Sequence, residues 1–163
     1  KYKMGMNLLF TLRGIPQLYY GTELWMKNFK DPNDGMVRLD FPGGFPNDEK
    51  DKRMASGRDQ TENTAFNYVK TLANFRKNNT ALQTGKMMQW LPSDGLYVYF
   101  RYDKGSTVMI VLNTSNKTKS VLLSNYGERT NEFKGFKDVV TGVIGANQID
   151  LAPMESRVVL LTK

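Results

Sequence analysis

Residues 15–20 constrain the fold of this chain more than any other segment, because their side chains are apolar on both faces of a predicted strand. Gly14 and Gly21 bracket the segment, and a helix-like pattern precedes it directly. A strand buried on both faces belongs to a parallel sheet that is covered by helices. No other predicted strand of the chain lies between two helices, so this one lacks the neighbours that such a sheet requires. The sequence therefore predicts the tail end of a larger protein.

The chain contains neither cysteine nor histidine, which excludes several kinds of chemistry. Disulfides, thiolate metal sites, Ser-His-Asp catalysis and His-ligated zinc are all excluded. Carboxylates, lysine and tyrosine remain as the groups that can do chemistry. No apolar run is long enough for a transmembrane helix, no cluster of acidic residues has calcium-loop spacing, and no cofactor site is predicted.

The net charge of +7 is spread along the chain. Residues 1–85 hold 13 basic and 9 acidic side chains, and residues 86–163 hold 10 and 7. A nucleic-acid-binding face concentrates its positive charge instead. We therefore predict a solvated mixed surface, with neither nucleic acid nor membrane as a partner.

Two helices and a long loop are predicted in the first half of the chain. Residues 4–12 have apolar side chains at helical spacing, which directs Met4, Leu8, Leu9 and Leu12 inward. Residues 23–61 lack periodicity and are rich in proline, glycine and charge, and a loop of this length is usually functional. A second helix is predicted over residues 62–78, with Thr61 as its N-cap.

The second half of the chain has the alternating pattern of β-strands. Strands are predicted over residues 96–102, 108–112, 121–123 and 158–161, separated by turn-forming segments. Several short strands at regular spacing indicate an antiparallel sandwich. The predicted fold class is thus α+β, with a helix–strand–helix fragment followed by an all-β domain.

Two segments resemble one known family. Residues 14–23 (GIPQLYYGTE) are similar to the eighth-strand motif of the α-amylase superfamily of glycoside hydrolases. Residues 34–46 (DGMVRLDFPGGFP) resemble a loop of its neopullulanase and cyclomaltodextrinase-like branch. Within that branch, their sequence is most similar to that of starch-utilisation enzymes of gut Bacteroidetes. The resemblance is strong over residues 4–48, moderate to residue 85, and beyond that rests on architecture.

The resemblance implies that residues 1–85 are the last helix–strand–helix elements of a (β/α)8 TIM barrel, with a long active-site loop. Residues 86–163 would be the Greek-key β-sandwich that follows the barrel. The family cleaves α-glucosidic bonds with retention, using carboxylates from strands upstream of Lys1, so we expect no catalytic residue here and no activity of this chain alone. A periplasmic or extracellular location and self-association through the truncated strand are further expectations.

Four residues of the loop are candidate contacts to an α-glucan oligosaccharide. The resemblance implies that Asp34 and Arg38 hydrogen-bond glucose hydroxyls, whereas the alternative is a solvated salt bridge of little energetic value. Trp25 and Phe45 can stack on a sugar ring through its C–H face, or they can simply anchor the loop. We expect Glu23, which follows the predicted strand, to be structural rather than a catalytic acid.

The predicted sandwich carries an alternative function. Four of its aromatic side chains can form a surface glucan site, although aromatic residues at a period of two usually pack in a core. They are Trp90, Tyr97, Tyr99 and Tyr102. A non-catalytic carbohydrate-binding or structural module is therefore the alternative to the enzyme fragment.

Overall fold

A six-stranded antiparallel sheet and a two-stranded sheet make up the second half of the chain in the computed structural model, which describes residues 1–163. The larger sheet has the strand order β1-β2-β3-β8-β5-β6, and β4 pairs with β7. The strands are β1 (Lys86–Gln89), β2 (Leu96–Tyr102), β3 (Thr107–Asn113), β4 (Lys119–Leu122), β5 (Gly135–Asp138), β6 (Ile144–Gly145), β7 (Gln148–Leu151) and β8 (Ser156–Thr162).

The two sheets enclose the main hydrophobic core, which confirms the predicted sandwich. One face of the six-stranded sheet supplies Val98, Phe100 and Met109, and the smaller sheet supplies Val121 and Leu151. All of these side chains are at most 2% exposed. Buried apolar area of this kind is the dominant favourable term in folding, so the sandwich is the principal source of stability in this half of the chain.

The opposite face of the six-stranded sheet is also buried, beneath helices. Helix α1 (Tyr2–Thr11) contacts β3 and β8, and helix α3 (Thr80–Gln83) contacts β2 and β3. On this face Tyr99 and Arg101 of β2 are 0% and 1% exposed. The sheet is therefore covered on both sides, although its strands are antiparallel.

The side of α1 that turns inward differs from the predicted one. Asn7, Phe10 and Thr11 are its buried residues, and the Asn7 amide donates to the Ser156 hydroxyl at 2.8 Å. The predicted inward stripe was wrong, because Met4, Leu8 and Leu9 are only half-buried and Leu12 is exposed. Hydrogen bonds to the sheet favour the side that carries Asn7 and Thr11 together with Phe10, and they leave most of the other apolar side chains of α1 only half-buried.

Two buried arginines hold the C-terminal end of α1. Arg101 donates to the Thr11 carbonyl at 2.8 Å and to the Gly85 carbonyl at 3.2 Å. Arg76 donates to the carbonyls of Phe10, at 3.0 Å, and Gly14, at 2.6 Å. The last carbonyls of a helix lack intrahelical partners and carry partial negative charge, so cations are favourable there.

Helix α2 (Gln60–Lys77) is capped at its N-terminus by Asp59 and Glu62, each of which accepts a hydrogen bond from the backbone amide of the other. The Glu62 amide donates to the Asp59 carboxylate at 2.8 Å, and the Asp59 amide donates to the Glu62 carboxylate at 2.9 Å. This capping box shows that the prediction of Thr61 as N-cap was wrong. The remaining helix is α4 (Gly127–Thr130), and none of the four helices combines the length and apolar character needed to span a bilayer.

Contacts divide the chain into two compact units. One unit comprises residues 1–16 with residues 71–163, and the other comprises residues 17–70, so the division falls inside α2. The first unit contains α1, α3 and both sheets. The boundary predicted at residue 85 rests on resemblance rather than on contacts, and it stays a prediction.

Residues 15–20 form no strand, contrary to the sequence-based expectation. The side chain of Ile15 is 96% exposed, and those of Tyr19 and Tyr20 are 54% and 45% exposed. A strand requires a neighbour to take up its backbone hydrogen bonds, and no strand of this chain pairs with the segment. Residues 15–20 therefore have the apolar side chains of a buried strand, but most of these side chains are exposed.

Replacing Arg101 by alanine should lower the free energy of unfolding by about 3 kcal/mol. The change leaves the Thr11 and Gly85 carbonyls without their donor and opens a cavity in a fully buried site. Urea unfolding followed by circular dichroism measures the loss. Arg53→Ala is the matched control, since that exposed arginine should cost less than about 0.5 kcal/mol. Equal, small effects of both changes would contradict the role of Arg101.

Candidate functional site

A tight turn follows residues 15–20 and fixes the backbone from which Trp25 projects. The turn is a short 3₁₀ helix, Thr22–Leu24, with Gly21 at φ 80° before it and Trp25 at φ 60° after it. The amides of Leu24 and Met26 both donate to the Gly21 carbonyl, at 3.1 and 3.0 Å. The positive φ of Gly21 favours glycine, and a Cβ there would also displace the Met26 side chain, whose sulfur would lie 2.2 Å away. Leu24, at 1% exposed, anchors the turn.

Trp25 combines a strained backbone with an exposed ring. Left-handed φ values are uncommon for a bulky residue and cluster at functional sites. The side chain is 50% exposed, and the Lys27 ammonium lies 5.8 Å from the ring centroid. Glu23, which we expect to be structural, lies half-buried in the turn itself. The turn thus holds an aromatic surface toward solvent, as stacking on a sugar requires.

Asp34 and Arg38 flank a second 3₁₀ turn, Asp34–Val37. The side chain of Asn33 accepts a hydrogen bond from the Gly35 amide at 2.9 Å, and the Asn28 amide donates to the Met36 carbonyl at 2.7 Å. Asp34 forms its salt bridge with Lys30, at 3.3 Å between two highly exposed groups, and not with Arg38. Asp34 thus takes part in a solvated loop salt bridge, as in the predicted alternative, but its partner is Lys30 rather than Arg38.

Phe45 lies on a glycine turn that is held by one carboxylate. Asp48 accepts hydrogen bonds from the amides of Gly43, at 2.8 Å, and Phe45, at 3.0 Å. Gly43 and Gly44 have φ values of 123° and 113°, which confirms their interpretation as a turn. Phe45 itself is 58% exposed, so the turn presents its ring to solvent rather than using it as an anchor.

Ionic groups fix the rest of the loop. The hydrogen bond from Arg53 lowers the pKa of the Asp51 carboxyl below its ordinary value. Arg58 donates to the carbonyls of Lys52 and Arg53, both at 3.0 Å, and its guanidinium lies 3.9 Å from the Phe66 ring centroid. These contacts hold the loop as a defined surface in the structure, although it contains no strand.

All four predicted contact residues therefore lie in one compact unit, residues 17–70, with exposed side chains. No hydrogen bond or ion pair joins Asp34 to Arg38, and each of the four lies on a separately stabilised turn or its edge. The structure makes these side chains available to a ligand.

The aromatic residues of the sandwich are used mainly for packing. The Trp90 ring lies edge-on to those of Phe100 and Tyr126, with centroids 5.3 and 5.1 Å away. Tyr99 is fully buried, its hydroxyl lies 2.6 Å from that of Thr11, and burial raises its pKa. Tyr99 therefore presents no face to a sugar. Tyr97 and Tyr102 are half-exposed: the Tyr97 ring lies beside that of Tyr99, and Tyr102, at the end of β2, lines a cleft.

Sequence comparison relates the second half of the chain to a known family. Residues 87–160 match the family model described as "Cyclo-malto-dextrinase C-terminal domain". The region is homologous to the C-terminal domain of α-amylase-family enzymes. Whole-chain comparison agrees, since the chain is homologous to the C-terminal part of α-amylase-family enzymes, which are glycoside hydrolases and transferases.

Individual relatives extend the similarity to more than nine-tenths of the chain. The cyclomaltodextrin glucanotransferase of Geobacillus stearothermophilus is 30% identical over 165 residues, covering 95% of this chain and 20% of the relative. The α-amylase of Niallia circulans is 30% identical over 151 residues, covering 91% and 24%. The chain thus spans about a fifth to a quarter of the length of these curated relatives.

A solved structure shows the same fold. The α-amylase of Geobacillus thermoleovorans, complexed with acarbose, superposes with a TM-score of 0.72 at 23% identity. The match covers 99% of this chain and 33% of that one. Both the sandwich and the loops that precede it therefore have counterparts in an α-amylase.

The two tryptophans should differ in fluorescence. Trp90→Phe leaves only half-exposed Trp25, whose emission should lie at longer wavelength and be readily quenched by acrylamide. Trp25→Phe leaves only Trp90, packed between two aromatic rings, which should resist quenching. Stern–Volmer titrations of both variants measure the difference. Equal quenching would contradict the placement of Trp25 as an available aromatic surface.

Proposed function

We propose that this chain is the C-terminal portion of an α-amylase-family glycoside hydrolase that cleaves α-glucosidic bonds of starch-derived oligosaccharides with retention. The observation that carries the proposal is the extent of the similarity, which covers over nine-tenths of the chain in both a glucanotransferase and an α-amylase. A sandwich that served alone as a binding module would not require similarity over residues 1–85. We assign the protein to the neopullulanase and cyclomaltodextrinase-like branch because the amino-acid sequence of residues 34–46 resembles a loop of that branch.

The exposed apolar surface of residues 1–20 supports a place in a TIM barrel. Ile15 is nearly fully exposed, and the apolar side of α1 is only half-buried, at Met4, Leu8 and Leu9. Such surface is costly in water and is usually covered by a partner. The remaining strands and helices of a (β/α)8 barrel would cover it, with residues 15–20 as the last strand.

In this proposal the chain supplies one wall of the active-site cleft and no catalytic group. A retaining glycosidase needs two carboxyls about 5–5.5 Å apart, one as nucleophile and one as acid/base. We place both in the part of the enzyme outside this chain. The loop following a barrel strand lies at the catalytic face, so Trp25, Asp34, Arg38 and Phe45 would contact the glucan chain.

The chemistry of these four side chains suits an α-glucan. A carboxylate accepts and a guanidinium donates hydrogen bonds to neighbouring sugar hydroxyls. Trp25 and Phe45 are 50% and 58% exposed, so their rings can pack against the C–H surface of a pyranose. The α-amylase that superposes on this chain was solved with acarbose bound.

We expect the chain alone to release no reducing sugar from maltoheptaose, and the complete polypeptide that contains it to do so. In the complete polypeptide, Asp34→Ala and Arg38→Ala should each lower kcat/KM by about 5- to 30-fold, the equivalent of about 1–2 kcal/mol of lost hydrogen bonding. A reducing-sugar assay measures both effects.

Lys30→Ala is the matched control for these variants. It removes the salt-bridge partner of Asp34 but no predicted sugar contact, so kcat/KM should stay within twofold. If Lys30→Ala were as harmful as Asp34→Ala, the role of Asp34 would lie in the salt bridge. Activity of the chain alone, or inactivity of the complete polypeptide on every α-glucan, would contradict the proposed function.

A further inference from the structure

A cleft on the sandwich, far along the chain from the proposed contact loop, has the character of a second binding site. Its volume is ≈470 Å³, and it lies between the turn joining β2 to β3 and the segment from α4 to residue 133. Ligand pockets in proteins commonly measure about 300–1,000 Å³. All of the lining residues belong to one compact unit, so the cleft is formed within the sandwich.

The floor and one wall of the cleft are rigid. Tyr102 and Phe133 pack against the hydrophobic core, so their positions are fixed from below. Asp103 accepts hydrogen bonds from the amides of Gly105, at 2.8 Å, and Ser106, at 2.9 Å, which locks the turn. A hydrogen bond from the Thr80 hydroxyl lowers the pKa of Asp103. A preformed cleft avoids the entropic cost of ordering its walls when a ligand binds.

Arg129 is the best-placed binding group. Its guanidinium stacks 4.2 Å above the Tyr102 ring, which fixes its plane, and its buried Nε atom has no hydrogen-bond partner. Glu128 and Glu132 line the same cleft with exposed carboxylates. None of the salt bridges of the chain involves these three side chains. Apart from the stack on Tyr102, the donors of Arg129 and the two carboxylates are therefore not engaged in hydrogen bonds or salt bridges within the protein.

The charges of the lining select the class of ligand. Acidic and basic side chains are equal in number, namely Asp103, Glu128 and Glu132 against Lys104, Arg129 and Lys163. A polyanion would meet three carboxylates and a polycation three cations, so neither fits. A neutral ligand that both donates and accepts hydrogen bonds satisfies both kinds of group, and the hydroxyls of a sugar do so.

We propose that this cleft is a second carbohydrate site, which holds one or two α-linked glucose units of a glucan whose other part lies elsewhere. Arg129 donates to sugar oxygens, Glu128 and Glu132 accept from sugar hydroxyls, and Phe133 offers an apolar edge to the ring. The choice of α-linked glucose rests on the proposed function, whereas the choice of a neutral sugar rests on the cleft alone.

The test is a two-dimensional ¹H–¹⁵N NMR titration of the chain with maltotriose, with cellotriose as a parallel probe. We expect maltotriose to shift the amide signals of residues 102–107 and 127–133, and cellotriose to bind at least tenfold more weakly. The double variant Glu128→Ala/Glu132→Ala should weaken maltotriose binding at least tenfold. Both side chains are exposed, and retained signal dispersion would show that the variant folds.

Glu49→Ala is the matched control, since it removes an exposed carboxylate outside the cleft and should leave binding unchanged. Shifts confined to residues 17–58 would overturn the second site while supporting the proposed loop contacts. Equal binding of cellotriose would overturn the α-glucan assignment of the cleft. No binding of either sugar would also overturn the inference, and hydrolysis by the complete polypeptide would still decide the proposed function.

Discussion

The two arginine side chains at the C-terminal end of α1 connect the beginning of the chain to the sandwich. Arg76 comes from α2 and Arg101 from the central sheet, yet both donate to carbonyls within residues 10–14. They are 8% and 1% exposed, and burial lowers the pKa of each guanidinium. Arginine remains charged even so, and the helix carbonyls replace part of the lost hydration.

This arrangement explains why α1 turns the side with Asn7 and Thr11 inward. Asn7 and Thr11 reach Ser156 and Tyr99, and the carbonyls beyond them meet the two guanidiniums. The apolar side of α1 is then left half-covered, and the chain leaves the helix from a fixed point toward exposed residues 15–20. These polar contacts thus determine which side of α1 packs on the sheet. They also determine which apolar side chains of α1 stay available to another part of the proposed enzyme.

The sequence predicted the features that depend on local pattern. Strands β2, β3 and β8 were found from alternation and length, and α1 and α2 were placed to within two residues. Short strands such as β5 and β7 escaped, because four residues carry too little periodicity. The cap of α2 was misassigned to Thr61 because Asp59, three residues before Glu62, was not recognised as half of a capping box.

Features that depend on distant contacts could not be predicted. The inward side of α1 was chosen by Ser156 and Tyr99, which lie far along the chain, and hydrophobicity alone indicated the other side. The contact loop was located from its resemblance, but the salt bridge of Asp34 with Lys30 was not. The stack of Arg129 on Tyr102 joins residues from separate segments, and no spacing in the sequence signals it.

Amide hydrogen exchange of the chain alone tests this account most directly, because it reports the opening of each segment separately. The account predicts that the amides of α1 from Met6 to Thr11 exchange in the same slow class as those of β2, β3 and β8. Residues 17–50, which contain short 3₁₀ turns but no α-helix and no strand, should exchange faster. If α1 exchanged as fast as residues 17–50, the arginines would not bind it to the sandwich, and the account would be wrong.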